Sequence, residues 1–247
     1  MMISIITASY GSERTIGDTI RSINSQAYGD WVHHIVDGRS GDRTLEICSD
    51  SPDERRQVTS EPDEGVYDAM SKGIRAATGD VIGFLNADDF YESDSVLGQI
   101  AAAFEEPGVD LVYGNLRYVD FDDTNRVVRD WKSEPYEKGM FRRGWMPPHP
   151  TVYARRGVFE KYGVFDQRFE ICADWEWLYR MIEIHGLKAK HIDEYWVRMR
   201  LGGVSNQSVG NVLRSNRQAA RAFSKHGQRV PLTFFPGKIL HRLKQFM

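Results

Sequence analysis

Short apolar runs in the first part of this chain each stop at a polar cluster, and amphipathic stretches lie between them. Ile3 to Thr7 reads as a strand ended by ASYGSERT, and Ile16 to Gln26 as a helix. Trp31 to Val36 reads as a second strand, stopped by DGRSGDRT, with a helix from Thr44. Val58 and Thr59 predict a short strand before the turn-rich SEPDEG. VYDAMSKGIRAA is helical with Gly79 beyond its end, and Val81 to Leu85 follows as a strand. Near-continuous apolar runs suit parallel-sheet strands buried on both faces. Their alternation with helices predicts βαβ units.

After Asp89 the rhythm changes. Ser95 to Phe104 reads as a helix. Leu111–Tyr113, Leu116–Phe121 and Val127–Trp131 read as three strands, antiparallel to one another. GWMPPHPTVYARRGVFEKYG holds a rigid proline loop, a strand and a helix, and ADWEWLYRMIEIHG reads as one helix ended by Gly186. A long basic helix over Val209 to His226 closes the body. Beyond Pro236, a residue suited to a helix start, Ile239, Leu240, Leu243 and Phe246 recur at helical spacing. The expectation is one α/β domain over residues 1–205 and a basic helical extension over 206–247.

Composition allows this: 247 residues, 41% of them hydrophobic, suffice for one large α/β core. The net charge of −3 hides an asymmetry. No Asp or Glu follows Glu194, whereas ten Lys and Arg do, which leaves −3 − 10 = −13 on residues 1–194. A basic end suits phosphates or an anionic surface. The two cysteines, Cys48 and Cys172, have no metal-ligand spacing and make a disulfide framework improbable, which fits a reducing, cytoplasmic setting. The N-terminus reads as a first strand rather than a signal peptide, and no apolar run reaches the 18 residues of a membrane span.

Ligands of open α/β sheets bind outside the carboxyl ends of the strands. Three polar clusters fall at such ends: Thr7 to Tyr10, Asp37 with Ser40 and Asp42, and Asn86 to Asp89. A single Asp after a strand is usually a turn or a cap, but three clusters on one edge point to a site. Adjacent carboxylates at a buried strand end repel one another and resist desolvation, so a divalent cation is expected there.

SIITASYGSERTIGDTIRSINSQ, HIVDGRSGDRT, EPDEGVYDAMSKGIRAATGDVIGFLNADD and ADWEWLYRM, in this order, resemble the family 2 glycosyltransferases. The resemblance covers about residues 3 to 205 and is closest to enzymes of bacterial surface polysaccharides and glycolipids. It implies a GT-A fold, a Rossmann-like, mainly parallel sheet flanked by helices. It also implies transfer of a sugar from a nucleotide donor with inversion. By the same resemblance Thr7, Ser9 and Tyr10 border the nucleoside, Asp37 bonds the base in a way that suits uracil, and Asp63 and Lys72 lie near the nucleotide. Asn86-Ala87-Asp88 stands where the family has Asp-x-Asp, so Asp88 is the expected metal ligand, for Mg²⁺ or Mn²⁺. Asn86 is a departure that lowers the charge of the site. Asp89 either orients that shell or caps the next helix.

The family's general base maps to Asp174; its bland alternative is a helix cap, and Glu176 is a weaker candidate on another face. His149, fixed between prolines, is an acceptor-side candidate, Arg200 a diphosphate contact, and Gly202 and Gly203 permit close approach to phosphate. Trp145, Trp175 and Trp177 either stack on sugars or pack in the core. The implied partners are a nucleotide-sugar donor and a saccharide or lipid-linked acceptor, with no nucleic acid. The C-terminal tail is expected to touch the inner face of the membrane, or else to pack on its own domain or on a second copy in a homodimer. Two rival readings remain: a catalytically impaired nucleotide-sugar-binding protein, and a nucleotidyltransferase, which TASYGSERT disfavours for lack of a phosphate-loop Lys.

Overall fold

The computed structural model describes residues 1–202 and 209–246. Its strands form one sheet whose first half is parallel. β1 (Ile3–Ser9) lies between β2 (Trp31–Asp37) and β4 (Val81–Phe84), and β3 (Arg56–Ser60) adds outside β2. The registers Ile3↔Trp31 and Ile3↔Val81 bring the C-terminal ends of β1, β2 and β4 to one edge. The crossovers are α1 (Ile16–Asn24), α2 (Thr44–Ser49) and α3 (Val66–Ala76). In α1 the buried Ile16, Ile20 and Ile23 share one face at helical spacing. In β1 alternate side chains enter opposite layers: Ile3 and Ile5 join Trp31, Leu97 and Ile100, and Ile6 joins Met70, Ile74 and Phe84.

The second half is mixed. β8 (Tyr153–Arg155) runs antiparallel to β4 and to β6 (Leu111–Val119), and β9 (Ala189–Arg200) runs parallel to β6. β5 (Phe90–Tyr91) pairs with β9 and β7 (Val127–Trp131) with β6, both antiparallel. Helices α4 (Val96–Ala103), α5 (Arg156–Tyr162) and α6 (Ala173–Leu178) pack around them, and α6 continues as a π-helical segment, Tyr179–Ile184. Gly83 faces Tyr153 across β4 and β8, and a β-carbon at Gly83 would lie 2.1 Å from that ring.

Three sequence expectations change. β6 is one strand, not two: Gly114 interrupts its apolar run, and the Trp196 ring occupies the space a side chain there would need. β9 was not expected, because its charged residues pair laterally, as Arg198 does with Glu92 at 2.9 Å, instead of alternating with apolar ones. The helix expected from Ala173 to Gly186 is α-helical only to Leu178.

The C-terminal segment shares the main core. Ala219, Ala222 and Phe223 of α7 (Val209–Lys225) and Phe234 of α8 (Phe234–Lys244) join the cluster that holds Trp175 and Trp177. Phe234 is fully buried, with its ring 5.0 Å from Phe223 and 5.4 Å from Trp175. α8 crosses residues 141–144 closely: a β-carbon at Gly237 would lie 1.9 Å from the Arg143 carbonyl oxygen. The tail therefore packs on its own domain while Ile239, Leu240, Leu243 and Phe246 stay exposed.

Candidate active site

The carboxyl edge of β1 and β2 gathers the first group. Tyr10 is 75% exposed, so its ring is free to stack. Gly38, just past β2, has no room for a side chain: a β-carbon would meet Asp63 Oδ2 at 2.5 Å and Tyr10 at 3.3 Å. Glycine at this position thus lets Tyr10 and Asp63 approach the end of β2, and the Gly65 amide holds Asp63 Oδ1 at 2.9 Å. Asp37 is fully buried and accepts four bonds, from the Ser9, Ser40 and Ser60 hydroxyls and the Ser40 amide. These bonds hold the turn in which Arg39 takes φ +62°, a left-handed conformation that costs a non-glycine residue. Asp37 reaches a base edge only by exchanging one of these partners.

Thr7 does not open onto this edge. It is fully buried, and its hydroxyl donates to the Leu85 carbonyl at 2.7 Å and lies 2.9 Å from His33 Nε2. It ties β1, β2 and β4 together beneath the site. Lys72 bonds the Pro62 carbonyl at 2.6 Å and pairs with Glu61 and Asp68, so it fixes the loop that carries Asp63.

At the end of β4, Ala87 turns into the core and Asn86, Asp88 and Asp89 crowd together. Burial pushes Asp88 above the usual carboxylate range and Asp89 well above it; the Asp88 charge adds to the rise at Asp89, and the Asn86 amide opposes it. Asn86 Nδ2 donates to Asp89 Oδ2 at 2.8 Å, whereas the buried Asp89 Oδ1 has no hydrogen-bond partner. Asp89 caps no helix, since α4 begins at Val96. Among the described residues no three His, Cys, Asp or Glu side chains form a complete metal cage. Two hard carboxylates on one strand end suit a Mg²⁺-type ion that completes its shell with waters and substrate phosphates.

Arg200 is buried rather than open to a diphosphate. Its guanidinium pairs with Asp18 and donates to the carbonyls of Asp88 at 2.8 Å and Phe121 at 3.3 Å. It braces the Asp88 backbone. Gly202, two residues on, is exposed, and Gly203 falls outside the described residues.

Asp174 lies in the first turn of α6, where the cap residue is Cys172 and no side chain caps the helix. Its Oδ1 accepts the Tyr67 hydroxyl at 3.0 Å, and among the described residues Oδ2 has no hydrogen-bond partner. Burial, then the Asp174 charge, holds the Tyr67 hydroxyl well above its ordinary range, so it remains a donor. Glu176 is fully buried against Arg180, Lys225 and His226, which makes it structural. His149 stacks on Phe84 at 5.3 Å with its Nε2 buried and unpartnered. Burial keeps His149 below the ordinary histidine range against the pull of the Asp174 charge. Trp177 is core, with its indole N–H on the Gly163 carbonyl at 3.0 Å. Trp145 and Trp175 also pack inward, but both border a cavity of about 730 Å³ beneath α8. Tyr67, the unpartnered Asp89 oxygen and this cavity have no local signal in the chain.

Comparison with known proteins follows this geometry. Residues 4–163 match the family described as Glycosyl transferase family 2. The chain is 32% identical over 213 residues to a PGL/p-HBAD biosynthesis glycosyltransferase of Mycobacterium bovis, covering 84% of this chain and 80% of that protein. Among solved structures, S. aureus TarS 1–349 in complex with UDP-GlcNAc aligns with a TM-score of 0.67 at 16% identity, over 98% of this chain and 79% of that one. The mannosyltransferase PcManGT from Pyrobaculum calidifontis, in complex with GDP-Man and Mn²⁺, aligns with a TM-score of 0.68 at 19% identity, over 96% and 68%. The two solved structures bear out the GT-A fold expected of the chain.

Proposed function

The chain belongs to glycosyl transferase family 2 and is a glycosyltransferase, and we propose that it moves a sugar from a nucleotide-sugar donor, a UDP-sugar, to a saccharide or lipid-linked acceptor with inversion. The observation that carries this reading is the convergence of Tyr10, Asp37 and Asp63 on the same sheet edge as the Asp88–Asp89 pair. Tyr10 supplies a stacking face for the base. Asp37, on releasing one serine, accepts an imide N–H, the pattern uracil offers. Asp88, with the unpartnered oxygen of Asp89, would hold Mg²⁺ or Mn²⁺, which supplies charge stabilisation to the leaving diphosphate. Asn86 supports that pair by its bond to Asp89, so the departure from Asp-x-Asp does not imply loss of activity.

Asp174 serves as the general base. Tyr67 fixes one of its oxygens, and the other is free to take the proton of the attacking hydroxyl. His149, neutral and unpartnered on Nε2, offers one hydrogen bond to the acceptor side.

The part of the mycobacterial relative in PGL/p-HBAD biosynthesis and the exposed apolar residues of α8 favour a lipid-linked acceptor reached from the cytoplasmic membrane face. No helix among the described residues is long and apolar enough to cross a membrane. A panel of sugar nucleotides, scored by thermal stabilisation and donor hydrolysis with and without Mn²⁺, tests the reading. A ligand at a hundred times its dissociation constant adds about 2.7 kcal/mol of stability. Indifference to every sugar nucleotide in both assays would overturn it.

A further inference from the structure

The cavity beneath α8 lies between β7, residues 131–134, the 144–146 loop and α8 itself. Two of its lining groups lack partners although each is only 7% exposed: Arg129 Nε and Ser133 Oγ. The Arg129 guanidinium lies 3.5 Å from the centre of the Tyr118 ring, and among the described residues no carboxylate lies within ion-pair distance of it. Burial lowers the Arg129 pKa; Tyr118 opposes this, and nearby Arg242 adds to it. Lys238, whose ammonium donates to Asn216 at 2.9 Å, is likewise pushed down by burial and by Arg242, although Cys172 and Asp174 oppose this. The acids on the wall do not offset these cations: Asp130 is shared with Arg117 at 3.4 Å, which leaves Glu134. Buried cations without counter-charges are costly unless a ligand brings an anion.

Trp131, Trp145 and Trp175 also border the cavity, the last two almost wholly buried, and Trp175 adjoins the base Asp174 in sequence. At its other end Phe246 lines the cavity and also continues the exposed apolar stripe of Ile239, Leu240 and Leu243. Anion-seeking and lipid-seeking surfaces thus adjoin along α8. We propose that this cavity is the acceptor subsite and takes a lipid-linked phosphate ester, its phosphate on Arg129 and Arg242 and its apolar chain on the α8 stripe. The proposal rests on the glycosyl-transfer reading and adds the chemical class of the acceptor.

The test is calorimetry and tryptophan fluorescence on the full chain with farnesyl phosphate, farnesol and inorganic phosphate, alongside UDP with Mn²⁺. Farnesyl phosphate is expected to bind saturably, to change the tryptophan emission, and to bind at least tenfold tighter than farnesol or inorganic phosphate. Arg242→Gln, on an exposed helix position, should weaken farnesyl phosphate at least tenfold and leave UDP within twofold. Equal binding of farnesol overturns the phosphate contact, and equal binding of inorganic phosphate overturns the lipid link. An unchanged affinity in Arg242→Gln, or displacement of farnesyl phosphate by UDP, overturns the site. If UDP itself fails to bind while farnesyl phosphate does, the donor reading fails and the cavity stands.

Discussion

Replacing Asp89 by Asn should make the metal-free protein more stable and less responsive to metal. Asp89 is fully buried; one oxygen accepts from Asn86 and the other has no partner. Among the described residues the cation that acts on Asp89 is Arg200, whose guanidinium pairs with Asp18 and donates to carbonyl groups. A buried polar group left unsatisfied costs about 1–3 kcal/mol, and more when it is charged. Asn retains the acceptor that Asn86 uses and removes the charge, while its amide N–H faces the unpartnered position, so the net gain expected at neutral pH is about 1 kcal/mol, or roughly 2–4 °C in Tm for a chain of this size. The assay is thermal unfolding with and without Mn²⁺ and UDP. Wild type should gain the larger shift on addition of Mn²⁺ with UDP, and Asp89→Asn should lose most of that increment. A variant that is less stable than wild type without metal, yet shows the full Mn²⁺–UDP shift, would refute the reasoning.

Gly83→Ala should destabilise by about 1–3 kcal/mol through overpacking, because its β-carbon would sit 2.1 Å from the fully buried Tyr153 ring; urea unfolding checks this, and an unchanged midpoint would mean that the ring can move aside. His33 accepts from Arg56 on Nδ1, and since the Thr7 hydroxyl is spent on Leu85, His33 must donate from Nε2. Burial, then Arg56, lowers its pKa well below the ordinary value. The unfolded chain then binds the extra proton below about pH 6.5, so the His33 contribution to stability is complete above that pH and is lost as pH falls toward the folded pKa. Imidazole ¹⁵N shifts should show a neutral Nε2–H tautomer at pH 6; a protonated ring there contradicts the arrangement. Calorimetry should give tighter binding for UDP than for GDP under the same Mn²⁺ conditions, and the reverse order would remove Asp37 as a selector of uracil.

The parallel half was legible because strands buried on both faces write apolar runs into the chain, each closed by a turn cluster. β9 was hidden because its polar positions are satisfied by partners distant in sequence, as in the Arg198–Glu92 pair. The same distance limits what a local pattern says about roles. Asp37 and Asp88 are visible as strand-end acids, but whether Thr7 faces a nucleoside depends on His33 in the next strand. Arg200 reads as a free cation until Asp18 and the Asp88 carbonyl are brought beside it. Tyr67 and Asp174 are 107 positions apart, and Arg129 and Ser133 carry no motif at all. Residues that act through the third dimension leave no periodic trace.

The proposed base is tested most directly by Asp174→Asn, assayed with the donor selected from the sugar-nucleotide panel and a cognate acceptor at saturation. The substitution keeps an oxygen for the Tyr67 hydroxyl and removes the proton acceptor. The account predicts nucleotide affinity within twofold of wild type and a fall in turnover of about 10²–10⁴-fold, the range a positioned base supplies. Near-normal turnover in Asp174→Asn, with donor binding intact, would contradict it.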